Sequence, residues 1–80
     1  MAADYIPIAC AEHERLEFAV LRRQRLRLTW QREDDGGQCV EDALPLDVAT
    51  RAGAEWLTIK RADGATEVIR LDHILAASPL

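Results

Sequence analysis

Eighty residues carry fourteen acidic and ten basic side chains, for a net charge of -4, and 49% of the chain is hydrophobic. That is one domain of sequence, 1–80, near the smallest size that folds alone, with apolar material for a single small core. The charge excludes bulk attraction to phosphate backbones and favours a basic partner; the lack of any apolar run near about 18 residues excludes a spanning helix.

The chain opens on an extended lead-in, residues 1–10, stiffened by Pro7 within Tyr5-Ile6-Pro7-Ile8-Ala9-Cys10. No Lys or Arg precedes Arg15, and Asp4 and Pro7 interrupt any apolar stretch, so no secretory signal and a cytoplasmic location are expected. Residues 11–23 predict a helix of about three turns, built from good formers. Leu16, Ala19 and Val20 share one side and suit a core contact. Glu14, Glu17, Phe18 and Leu21 make a second stripe at i, i+3, i+4 and i+7. One stripe packs on the domain; the other is buried by it too, or is left for a partner.

Strands follow, five of them within 26–77. Leu26, Leu28 and Trp30 alternate with Arg27 and Thr29, the pattern of a half-buried strand. Asp34-Asp35-Gly36-Gly37 signals a hairpin turn. A second strand is expected over 38–46, with Pro45 marking its end or an edge, and 47–53 reads as a connection in which Gly53 takes a turn conformation. The third strand spans 55–61, with Leu57 and Ile59 on one face and Trp56 and Thr58 on the other. Ala62-Asp63-Gly64 turns tightly into a fourth strand over 66–71, and 74–77 is a short fifth. Residues 78–80 are expected to fray. One helix before five short strands is an α+β, mainly β domain with a small, strongly bent sheet or partly open barrel.

The chemistry-bearing residues are few. His13 and His73 lie outside any metal-ligand spacing and read as a helix-surface residue and a turn residue beside Asp72. No nucleophile is paired with a base, and no phosphate-cradling loop occurs, so the chain is not expected to be an enzyme or to hold a cofactor or metal. Cys10 and Cys39 match no redox spacing and read as buried free thiols. Arg22, Arg23, Arg25 and Arg27 cluster after the helix, where they fit either contacts with RNA phosphates or a solvated helix end favoured by the macrodipole. Glu12 and Glu14 fit helix capping or a partner contact, whereas Glu17 lies beyond the first turn.

Tyr5-Ile6-Pro7-Ile8-Ala9-Cys10, followed by Leu16-Glu17 and Ala19, resembles the opening Y-x-P-I-x-C…L-E-x-A of the Rho-binding antiterminator family (Rof, or YaeO). The likeness continues through Leu28-Thr29, Asp47, Thr50-Arg51 and Glu55-Trp56-Leu57, and closes with Arg70-Leu71-Asp72 and Ile74. It implies an Sm-like fold, an N-terminal helix packed on a strongly bent five-stranded antiparallel sheet. It also implies a function: inhibition of the transcription termination factor Rho, by docking on its RNA-anchoring OB-fold domain and blocking RNA loading.

On that resemblance Glu12, Glu14 and Glu17 meet Rho's basic residues, His13 takes a place where the family can present an aromatic, and Thr50 and Arg51 border the interface. No direct nucleic acid, membrane or cofactor is implied, and the free protein is expected to be a monomer. Ala11 replaces a possible acid, Ala52 and Gly53 follow Arg51 where polar residues can occur, and Val20 stands where a second cysteine can. Asp34-Asp35-Gly36-Gly37 lies in a longer stretch between the first strands than the family pattern has. The alternative is an Sm-like RNA-binding module using Arg22, Arg23, Arg25 and Arg27.

Overall fold

The computed structural model describes residues 8–80; Tyr5, Ile6 and Pro7 of the lead-in lie outside the described residues. One helix, α1 (Cys10–Arg22), precedes strands β1 (Leu26–Gln31), β2 (Gln38–Arg51), β3 (Ala54–Arg61), β4 (Thr66–Arg70) and β5 (Ile74–Pro79). All pairings are antiparallel, in the order β4-β3-β2-β1-β5. The α+β, mainly β expectation holds.

α1 begins one residue earlier than the sequence predicts and stops at Arg23, which turns left-handed (φ 54, ψ 42). Arg23 donates its N–H to Val20 O at 3.2 Å and Gln24 donates to Ala19 O at 2.9 Å, so the last carbonyls are satisfied as the chain reverses. Leu16 and Ala19 are buried against the sheet and Val20 packs beside them. Phe18 and Leu21 stay exposed. The second stripe is therefore not covered by its own domain.

Beneath the helix, Leu26, Leu28 and Trp30 are buried while Arg27 and Gln31 face water, as alternation predicts. Leu57 and Ile59 of β3 complete the centre of the core at 0% exposure. Gly36 and Gly64 take φ of 70° and 90° in the two tight turns expected there.

Three expectations for the strands are corrected. β2 does not end near Pro45; it runs fourteen residues, through Asp47 to Arg51, so the expected 47–53 connection is a strand closed by a two-residue turn. β1 pairs with β2 over its first part and β3 over its second, meeting only at Ala43. Pro45 thus has a ladder on one side only, where a missing N–H costs nothing, and the bulge between Pro45 and Asp47 lets the long strand bend between its neighbours. Ser78 and Pro79 do not fray: they pair with Arg27 and Leu26, and Leu80 donates its N–H to Arg25 O at 3.1 Å.

The fourth strand gives way at Leu71 to a 3-10 turn, Leu71–His73. Arg70 grips Asp72 with two hydrogen bonds, Nε to Oδ1 at 2.7 Å and Nη2 to Oδ2 at 2.8 Å. Leu71 between them is wholly buried. This part of the Arg70-Leu71-Asp72 likeness has a structural task, closing the link from β4 to β5.

Candidate functional site

α1 lies across the sheet with its first half above the β2–β3 hairpin, and this places side chains from two distant segments together. His13 projects from the helix flank toward β3. Its Nδ1 is 3.1 Å from Glu17 Oε1, one turn along, and its Nε2 is 2.5 Å from Glu55 Oε2. Cys10, Glu14, Glu17, Glu55 and His13 border an open groove of about 360 Å3, with Ile8 at its end. Glu14 and Glu17 are exposed. A carboxylate-lined groove of this kind can take a guanidinium or ammonium group.

Glu55 belongs to this site although periodicity did not single it out; only the approach of His13 to the start of β3 reveals it. Thr50 is directly opposite Glu55 in the β2–β3 ladder, so the two share a sheet face beside His13. Arg51, one residue on, lies on the alternate face, and its carbonyl accepts a hydrogen bond from Trp56 Nε1 at 3.1 Å. Asp47, from the bulged part of β2, borders a second groove with Glu17, Val20, Leu21 and Val48.

Glu12 stands apart from the other helix carboxylates. It pairs with Arg15 at 2.9 Å, and Arg15 also donates to Ala77 O at 3.1 Å, so both face β5. The six residues predicted for the site thus divide. His13, Glu14 and Glu17 border one groove, Thr50 reaches it only as the ladder partner of Glu55, and Glu12 and Arg51 do not line it.

The four arginines divide as well. Arg27 is committed to Asp42 across the β1–β2 ladder at 2.8 Å, and Arg22 lies over the Phe18 ring, 5.5 Å from its centre. Arg23 is the left-handed cap of α1, and Arg25 is exposed at the start of the sheet. Cys10 and Cys39 are free, but the expected burial is corrected: Cys10, the first residue of α1, is exposed, and Cys39 is half-buried with Arg32 Nη1 3.1 Å from its sulfur.

Among the described residues, no three His, Cys, Asp or Glu side chains converge as metal ligands, and no helix is long and apolar enough to cross a membrane. No protein-family model matches the chain, and neither does any curated protein sequence.

Proposed function

We propose that this protein inhibits the transcription termination factor Rho in the bacterial cytoplasm, docking α1 on Rho's RNA-anchoring OB-fold domain and blocking the loading of RNA. The observation that carries the reading is the convergence of Glu14, Glu17 and Glu55 on one open groove. An OB-fold RNA site tracks a phosphate backbone with basic side chains and stacks bases on aromatics. A rigid row of carboxylates can occupy the same positive groove without nucleotides, and Phe18 and Leu21 supply apolar contact beside it. Thr50 borders the contact; Glu12 and Arg51 act from its edge. The inhibitor works by binding, with neither catalysis nor cofactor. The strand order, the long bulged β2 and the preceding helix are compatible with the Sm-like arrangement that the family resemblance implies.

The test is a competition titration of the whole chain against Rho carrying a labelled pyrimidine-rich RNA. Displacement of RNA from Rho, with none bound by the domain alone, is the expected result. RNA passing onto the domain would instead favour an RNA-binding module at Arg22, Arg23 and Arg25. With neither effect, the Rho reading fails.

A further inference from the structure

The outer face of α1 is an apolar crest between two grooves. Phe18 is 52% exposed and Leu21 77%. One groove, of about 260 Å3, runs toward β5 past Phe18, Arg22 and Pro79. The other, of about 180 Å3, lies toward β2 beside Leu21 and Val48. Glu14 stands four residues before Phe18 and Arg22 four after it, both exposed. Among the described residues neither takes part in an ion pair, although most neighbouring charges do.

We propose that a second copy of this chain covers this crest, α1 against α1 in antiparallel sense, about a two-fold axis at Phe18. An acidic partner segment would satisfy Arg22 and oppose Glu14, and a basic one would do the reverse. A parallel second copy would set like charges over like. The antiparallel copy satisfies both, because each Glu14 then faces the other chain's Arg22, with the two Phe18 rings between them. The contact is isologous, so one set of side chains closes it twice.

One face of a three-turn helix falls short of the roughly 800 Å2 per partner of a standard interface, so the dimer is weak and fills at high protein concentration. The monomer expected from the sequence is its dilute state. Because Glu14 and Phe18 also lie on the proposed Rho-binding face, dimer and Rho complex exclude each other. That consequence rests on the Rho reading; the dimer itself does not.

Sedimentation equilibrium on the full chain, from micromolar to millimolar concentration, tests the proposal without Rho. The apparent mass is expected to rise toward that of a dimer. Glu14→Arg and Arg22→Glu should each weaken association at least about tenfold, because each sets like charges face to face twice. The double variant E14R/R22E should restore it, with circular dichroism showing the fold intact in all three. A monomer at every concentration overturns the proposal. So does association indifferent to the single reversals, which would place the contact at the sheet edges, and so does a double variant that stays monomeric.

Discussion

The Nε2 atom of His13 lies 2.5 Å from Glu55 Oε2, and Nδ1 of the same ring lies 3.1 Å from Glu17 Oε1. One imidazole thereby ties the first half of α1 to the start of β3 and gathers two carboxylates around it. The helix is otherwise held by the apolar contacts of Leu16, Ala19 and Val20, which fix its packing against the sheet but not which carboxylates gather at its rim.

A double-mutant cycle with His13→Ala and Glu55→Ala measures that tie. Both side chains are about one-quarter exposed, at 24% and 25%. A coupling of about 0.5 kcal/mol is expected, within the range of partly exposed ion pairs. Urea unfolding of the four proteins reads it. Additive single effects would reduce the contact to mere proximity.

Leu16→Ala should do more damage and of a different kind. The side chain is 3% exposed where α1 meets the sheet, so its loss costs roughly 2–4 kcal/mol. A domain of this size holds roughly 4–12 kcal/mol in all. Hydrogen exchange should show α1 amides losing protection before those of β2 and β3, and Rho affinity should fall with them. Destabilisation below about 1 kcal/mol would mean that α1 is anchored elsewhere.

The alternation of Leu26, Leu28 and Trp30 was enough to place β1 and its buried face, since period two is a local property. The Asp-Gly turns were legible for the same reason. Pro45 misled because a proline excludes a two-sided ladder, and the sequence does not say that β1 and β3 share β2 end to end. The final residues, 78–80, looked free to fray because their partners lie some fifty residues back in the chain. In the site, Glu14 and Glu17 were readable from helical spacing. Glu55 was not, for strand periodicity gives its face but not the helix side chain that reaches it.

Charge reversal separates the two helix carboxylates. Glu14 has no ion pair among the described residues, so Glu14→Lys changes the proposed docking face and leaves the His13 contacts alone. It should weaken Rho binding at least tenfold, about 1.4 kcal/mol. Adding Glu17→Lys also removes the carboxylate that His13 Nδ1 contacts and should abolish binding with the far-ultraviolet spectrum unchanged. Affinity of the wild type should drop as salt is raised, because exposed charge contacts are screened. Calorimetry showing tight binding by the double variant would refute the proposed face.

The β2–β3 turn offers a gain in stability. Ala52 and Gly53 both sit at positive φ, 52° and 76°, the geometry of a tight two-residue hairpin. A left-handed alanine costs about 1–2 kcal/mol in the folded chain, and glycine returns part of that through the unfolded state's greater freedom. Ala52→Gly should therefore stabilise by about 0.5 kcal/mol, raising Tm by roughly 2–4 °C. Nothing lies within 4 Å of a methyl group built on Gly53, so Gly53→Ala should cost backbone strain alone, about 1 kcal/mol. Scanning calorimetry of both variants checks the opposite signs.

Acid should erase the contribution of the Arg27–Asp42 pair. Arg27 donates Nε to Oδ1 at 2.8 Å and Nη2 to Oδ2 at 3.3 Å, and this hydrogen bonding, with the guanidinium's charge, holds the Asp42 carboxyl below the ordinary 3.8. In the window below 3.8 the unfolded chain takes up the proton first, so stability falls with pH there. The pair's contribution is complete above that value and disappears once pH drops through the folded carboxyl's own, lower value. Both side chains are exposed, so the effect is small. Asp42→Asn should lie slightly below the wild type in urea midpoint at neutral pH, and the gap should close as pH drops below 3.8 and through the folded carboxyl's own value. A gap that persists in acid would mean that Asp42 stabilises the β1–β2 ladder through shape and hydrogen bonding that the asparagine fails to reproduce, and not through its charge.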